Sequence, residues 1–454
     1  MQNRGVYQDD VRHGDERGDT GHNFRAPRGS KLFKLEIVFR FTEQDLFTIT
    51  DVPEPGSQTV IARCRELAAI SEMAGGTQRT FLSPAMKRCY EVVGDWMKRA
   101  GMRVNIDAVG NLRGLLGGAE PGKLVLMMGS HLDTVRDAGA FDGILGVMMA
   151  IALAERFNGK RLPFDIEVIG FSEEEGVRFF VPFIGSKALV GLLDEKMLAR
   201  TDSEGITIHQ AISNFGLDPD AISQMRTTAA AFLEFHIEQG PVLESKGESV
   251  GIVEAITGQS HASVKFIGSA NHAGTTPMNH RRDALAGAAS FILAAENAAQ
   301  TEDGVVATVG KIDAYPNSSN VIPVEVTVSL DVRHPADSVR LGAYRHLRQA
   351  AAQIAQRKKL ALEWVDLLDQ KTVHLDPFLM STLAAASPNN TPRLVSGAGH
   401  DAMILAPHIP SAMLFLRSPG GVSHHPSENV LPEDVDVALE IGRRFIESMS
   451  VHYK

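Results

Sequence analysis

Cysteine is almost missing from this chain: Cys64 and Cys89 are the only two among 454 residues. That excludes a fold stapled by disulfides, and with no CxxC pair it argues against thiolate-metal or redox chemistry. Long apolar runs are also missing. The longest, around Leu145 to Ala154, is well short of the 18 or more residues that span a bilayer. An excess of positive charge is missing too, since 45 Lys and Arg face 55 Asp and Glu for a net charge of -10; a nucleic-acid binder would show the opposite. The first residues lack the apolar core of a signal peptide, and Asp9, Asp10, Asp15, Glu16 and Asp19 disfavour an organellar transit peptide. The expectation is a cytoplasmic enzyme with no nucleic-acid or membrane partner.

What is present reads as a globular protein of more than one domain. Hydrophobic content of 44% and charged content of 22% are ordinary, and the length exceeds what one hydrophobic core usually serves. Residues 1–55 are expected to be a disordered extension, because the first 30 or so are polar and Gly-rich. A strand-like run at Leu35 to Phe39 fits no place in the fold. Beyond it, Ser83 to Ala100 has helical spacing and opens on Ser-Pro, a good helix start. Buried-strand runs at Leu124 to Met128, Ile166 to Phe171 and Phe232 to Phe235 alternate with helical stretches such as Gly143 to Phe157, which predicts an α/β domain with a largely parallel sheet.

The middle of the chain has another rhythm. Strand-like Ala262 to Ile267, Val305 to Ile312 and Val324 to Val332, with helical Asp283 to Ala299 and Ser338 to Gln356, give a strand-helix-strand-strand-helix order. This predicts an inserted α+β ferredoxin-like unit over 257–372, interrupting an α/β domain of 56–256 and 373–454. Met413 to Leu416 and Asp434 to Ser448 return to strand and helix.

Polar clusters follow the strands: Ser130-His131-Leu132-Asp133 with Phe141-Asp142-Gly143, then Ser172-Glu173-Glu174-Glu175, His236-Ile237-Glu238-Gln239, and Ser423-His424-His425. A single His at a strand end, or a run of Glu, is commonly a structural or solvated feature. Four such clusters, each just after a buried strand, form a donor set of imidazole nitrogens and carboxylate oxygens suited to divalent zinc or manganese. Asp133 is placed to accept the second ring N–H of His131. The Glu174-Glu175 doublet offers one carboxylate to ligate and one to carry a proton from a metal-activated water.

The segments GSHLDTVRDAGAFDGILGV, FSEEEGVRF, EFHIEQGPVLE, NHAGTTPM and SGAGHDAM resemble the metallo-aminoacylase and carboxypeptidase superfamily. Within it they are similar to the branch of allantoate amidohydrolase, N-carbamoyl-L-amino-acid hydrolase and β-ureidopropionase. The resemblance covers roughly residues 60–450. It implies a two-metal, zinc-peptidase-like catalytic domain interrupted by a dimerisation (lid) domain, and a homodimer holding two divalent ions, manganese or zinc, per subunit. It implies His131, Asp142, Glu175, His236 and His424 as ligands, with Asp142 bridging. Spacing alone leaves His425 open beside His424; the Ser-His-x-Pro pattern favours His424. Glu174 would be the general base, and Asp133 would serve the catalytic set by fixing the His131 ring. His272 would stabilise the oxyanion, reaching in from the partner subunit, and Gln239, Asn320 and Arg333 would bind the ureido and carboxylate groups of a small substrate. The reaction implied is hydrolysis of a ureido C–N bond of allantoate to ureidoglycine, ammonia and carbon dioxide. The alternatives are hydrolysis of an N-carbamoyl amino acid, β-ureidopropionase activity, and a non-catalytic relative that only binds ligand.

Overall fold

A computed structural model describes residues 55–118 and 123–453. The expected extension, with its strand-like Leu35 to Phe39, lies outside the described residues but for Pro55. Local signals set the early elements. The Ser83 hydroxyl accepts the Met86 N–H at 3.1 Å and Pro84 opens the helix Pro84–Arg99. Its Met86, Cys89, Tyr90, Val93 and Met97 are buried at three- and four-residue spacing. The helix Ile144–Phe157 is buried almost all round, packed on strands of the main sheet and on two further helices. Each Leu or Ile buried there contributes roughly 1.5–3 kcal/mol relative to exposure.

Among the described residues, fourteen strands form two sheets. The chain first lays down β1 (Arg103–Ile106), β2 (Leu112–Leu116), β3 (Leu124–His131), β4 (Phe164–Phe171), β5 (Ala231–Ile237) and β6 (Val250–Ile256). It then builds a second sheet from β7 (Gly258–Ile267), β8 (Val306–Thr308), β9 (Ile312–Tyr315), β10 (Glu325–His334) and β11 (Ala361–Gln370), and returns to the first with β12 (Val373–His374), β13 (Arg393–Ser396) and β14 (Ser411–Leu416). The first sheet has nine strands in the order β1-β2-β4-β3-β5-β14-β6-β12, with β13 also on β6.

That sheet is mixed, where a largely parallel one was expected. Only its centre, β4-β3-β5-β14, is continuously parallel. β2 runs antiparallel to β4, and β6 antiparallel to β14. The loop from β1 to β2 is too short for a parallel crossover, which takes a dozen residues or more, so that pair is antiparallel too. The parallel centre matters most for the site. His131 lies opposite Phe171, and Leu416 opposite Ile237, so four strands end along one edge, where open α/β sheets place their ligands.

The second sheet is antiparallel throughout, in the order β11-β7-β10-β8 with β9 beside β10. The helices Ala284–Thr301 and Asp337–Lys358 pack on it over a separate core that includes Val264, Phe266, Phe291, Leu330 and Leu347. The run Val305 to Ile312, expected as one strand, is two. Thr308 pairs with Asp331 and Ile312 with Val328, so four steps on one strand face three on the other. The extra residue is a bulge beside Gly310, a residue that weakens a strand interior. Among the described residues, no helix is long and apolar enough to cross a membrane.

Candidate metal and substrate site

The carboxyl edge of the parallel strands gathers His131 from the end of β3, Glu174 and Glu175 from the loop after β4, His236 from β5, and His424 from the loop after β14, around Asp142. His236 Nε2 lies 3.3 Å from Asp142 Oδ1, and His131 Nε2 lies 3.9 Å from the same oxygen. His424 Nε2 lies 3.0 Å from Asp142 Oδ2 and 3.5 Å from Glu175 Oε1. His131, Asp142 and His236 form one potential ligand group; Asp142, Glu175 and His424 form another, with Asp142 in both. His425 faces elsewhere, its Nδ1 on the Ser427 hydroxyl at 2.7 Å.

Hydrogen bonding assigns the tautomers. His131 Nδ1 lies 3.0 Å from the Asp133 carbonyl, and His236 Nδ1 2.9 Å from the Ile237 carbonyl. A carbonyl only accepts, so each Nδ1 carries the proton and each Nε2 turns a lone pair on carboxylate oxygens. Burial lowers the His131 pKa further, against the pull of Asp133 and Asp142. Acceptor facing acceptor, in a buried nest of carboxylates, is what a divalent cation would reconcile. The donor set therefore fits the implied metal, and of its members His424 alone is exposed.

Local geometry supports each side chain. Gly143 has φ +69°, and a Cβ there would meet the His131 ring at 2.4 Å, so only glycine lets that ring lie against the Asp142 turn. The three glutamates after β4 diverge. Glu173 turns away and accepts the N–H groups of Phe81 at 3.1 Å and Arg178 at 2.9 Å; burial, then Asp133, pushes its carboxyl up to about 8. Glu174 faces the cavity, 3.9 Å from His131 Nε2, and its carboxyl is raised by burial and next by Glu175. Glu175 is raised by burial and then by Asp142. Asp142 goes the other way. Burial raises it, but the His424 hydrogen bond and the neighbouring His236 and His131 outweigh that and hold it well below the usual carboxylate range.

Asp133 differs from the sequence expectation. Its carboxylate is 3.7 Å from His131 Nδ1, and the ring bonds to its backbone carbonyl instead. The two carboxylate oxygens accept the N–H groups of Glu174 and Glu175, at 3.0 Å each. Asp133 thus holds the backbone beneath both glutamates.

A cavity of about 520 Å³ opens over this cluster. Gln239 lines it, with φ +58° and its amide N–H on both Asp142 oxygens, at 3.1 and 3.0 Å. Arg333 comes from β10 on the far wall; Asp331 grips its Nε and Nη2, and its Nη1 donates to the Gly397 carbonyl. Beside it lie Gln259 and His261, whose Nε2 is 3.4 Å from Asp331. Sequence reasoning missed both, along with Lys187, which reaches the cavity from the opposite wall with its amine on the Pro182 carbonyl at 2.8 Å. A larger cavity, about 840 Å³, shares no residue with this site.

His272 and Asn320 are not in the cavity. They flank each other through the Ala273 N–H to Asn320 carbonyl bond, past the opposite ends of β7 and β10 from Gln259 and Arg333. The eight steps from Arg333 back to Glu325 alone span roughly 26 Å of strand. His272 Nδ1 accepts the N–H groups of Gly274 and Thr275, at 3.1 and 3.2 Å, so its proton sits on Nε2, on an exposed ring.

Comparison with known proteins follows this geometry. Residues 127–448 match the model of peptidase family M20/M25/M40. Allantoate deiminase 2 of Glycine max is 37% identical over 429 residues, covering 86% of this chain and 89% of that protein. The N-carbamoyl-L-amino acid amidohydrolase of Geobacillus stearothermophilus is 37% identical over 393 residues, covering 84% and 95%. Among solved structures, an amidase of the hydantoinase/carbamoylase family from Burkholderia multivorans superposes with a TM-score of 0.80 at 31% identity, covering 87% of this chain and 98% of that one.

Proposed function

The chain belongs to peptidase family M20/M25/M40, and from that premise we propose that it is a metal-dependent amidohydrolase that cleaves a ureido C–N bond of allantoate. Allantoate and one water give ureidoglycine, ammonia and carbon dioxide. The reading rests on one observation above the others: two ligand groups sharing Asp142, with the Glu174 carboxylate beside them, 3.9 Å from His131 Nε2. The similarity to allantoate deiminases supports the substrate.

His131, Asp142 and His236 would hold one divalent ion, and Asp142, Glu175 and His424 a second, manganese or zinc. When bound, such ions supply Lewis acidity to a weakly electrophilic ureido carbonyl and to water. Glu174, its carboxyl raised by burial and next by Glu175, takes the proton of the attacking water and returns it to the leaving nitrogen. Arg333, already aligned by Asp331, offers its remaining donors to the substrate carboxylate. Gln239 and Asn320 orient the ureido group.

His272 donates from Nε2 to the oxygen on which charge builds. One copy of the chain displays His272 and Asn320 at the end of the second sheet remote from its own cavity. We therefore assign 257–372 as an inserted dimerisation unit, through which a second copy brings those two residues to the first copy's site.

The test is to strip the protein with a chelator and restore manganese or zinc separately. Ammonia release from allantoate is measured beside amino-acid release from a panel of N-carbamoyl amino acids and 3-ureidopropionate. Metal-dependent ammonia from allantoate is the expected result. Turnover of a carbamoyl compound alone would replace the substrate, and turnover of nothing would sink the enzymatic reading.

A further inference from the structure

We propose that Glu428 is the positioning residue that locks the two halves of the metal site together. Its carboxylate is buried, at 5% exposure, in the turn after His424. Oε1 accepts two consecutive backbone N–H groups, those of Phe141 at 2.8 Å and Asp142 at 2.9 Å. Oε2 accepts the hydroxyl of Ser423, the residue before His424, at 3.2 Å. The same hydroxyl accepts the Gln239 amide N–H at 3.2 Å and sits 3.4 Å from Asp142 Oδ2. One side chain therefore grips the backbone under the shared carboxylate and the loop carrying the most exposed ligand, 286 residues apart in sequence.

The packing is shaped around this grip. At Gly139 a Cβ would come within 2.4 Å of the Glu428 Cβ, so the absence of a side chain lets the carboxylate reach the turn. Asp133 does the corresponding job on the other side, with one oxygen on each of the Glu174 and Glu175 N–H groups. The two carboxylates divide the work: Asp133 orders the base and one ligand, and Glu428 orders the bridge and His424. Charge-assisted bonds to backbone N–H are among the stronger ones. Partners that orient ligands in this way typically govern 10- to 100-fold in metal affinity.

The proposal rests on the metal reading, and manganese itself is the probe. Metal-stripped wild type, Glu428→Ala, Glu428→Gln, Ser423→Ala and Asp142→Asn are titrated with manganese against a competing indicator, and each is melted without metal. Glu428→Ala is expected to bind manganese roughly 10- to 100-fold more weakly, and Ser423→Ala to show part of that loss. Glu428→Gln should recover most of it, because its carbonyl still accepts both N–H groups while its amide donates to Ser423. A merely structural glutamate would lower the metal-free melting temperature and leave the affinity of the folded protein unchanged. Wild-type affinity in folded Glu428→Ala, or Glu428→Gln as weak as Glu428→Ala, overturns the positioning role. If Glu428→Ala fails to fold, unchanged affinity in Ser423→Ala overturns it instead. Asp142→Asn separates the two levels: if it binds manganese like wild type, the metal reading itself falls, and this proposal with it.

Discussion

The two walls of the cavity are built on different terms. On the nine-stranded side, the side chains of His131, Asp142 and His236 are at most 4% exposed, and the carboxylate of Asp142 is enclosed by His131, His236, His424 and Gln239. On the five-stranded side, His261, Asp331 and Arg333 are 29–32% exposed and form a small ion-pair cluster open to water. Burying unpaired charge costs several kcal/mol per ion, so the first wall is sustainable only where something neutralises its carboxylates. The second wall needs no such help, because Asp331 already pairs with Arg333 at 2.7 Å. On the proposed reading, the difference teaches that the chemistry belongs to the buried wall and the grip on the substrate carboxylate to the open one.

Three substitutions probe that division. The largest expected effect is from Glu174→Gln, which removes the proton carrier from the buried wall and should cut kcat by about 10²- to 10⁴-fold. Manganese binding should survive, and full turnover in the variant would show that the base has been misassigned. Arg333→Lys acts on the open wall. Losing the fork of donors should cost roughly 10- to 100-fold in kcat/KM, mostly through KM; a kcat defect with unchanged KM would contradict the split between walls. Asp331→Asn is the mildest. Burial raises Asp331, but hydrogen bonds from His261 and Arg333 outweigh it and hold the carboxyl down to about 2. A depressed carboxyl stabilises the fold above its ordinary value and loses that contribution as pH falls toward 2. The melting temperature of Asp331→Asn should thus lie below wild type near pH 6, and the gap should close between about pH 4 and pH 2. A gap that stays constant with pH would show that Asp331 contributes packing and not charge.

Much of this was legible in the sequence where the signal is local. The helix Pro84–Arg99 carries its own cap, and β3, β4, β5 and β14 are apolar runs that end in polar clusters, so the elements and the clusters could be read directly, while the choice of ligands within them came from the family resemblance. Glu428 could not: it sits in an ordinary-looking Pro-Ser-Glu-Asn turn, and its partners are 286 residues upstream. His261 and Gln259 share one face of β7 with Ser263, Lys265 and Ile267, opposite the buried Ala262, Val264 and Phe266, an alternation that marks a half-buried strand but not which residues of that face meet a cavity. The antiparallel flanks of the main sheet were invisible because strand direction is set by where the chain crosses, not by strand composition. Asp133 shows the limit from the other side. Its importance was readable two positions after His131, but its actual bond, to the amides of Glu174 and Glu175, is a property of the folded loop.

The span between the two halves of the site also sets a clock. His424 is made 293 residues after His131. At synthesis rates of about 5–20 residues per second, a ribosome needs roughly 15–60 s to cover that stretch. Throughout that interval the growing chain carries His131, Asp142, then Glu175 and His236, but no His424 and no Glu428 to hold the Asp142 turn. The site is therefore completed late in translation, and a nascent chain that meets metal early meets only half of a home for it.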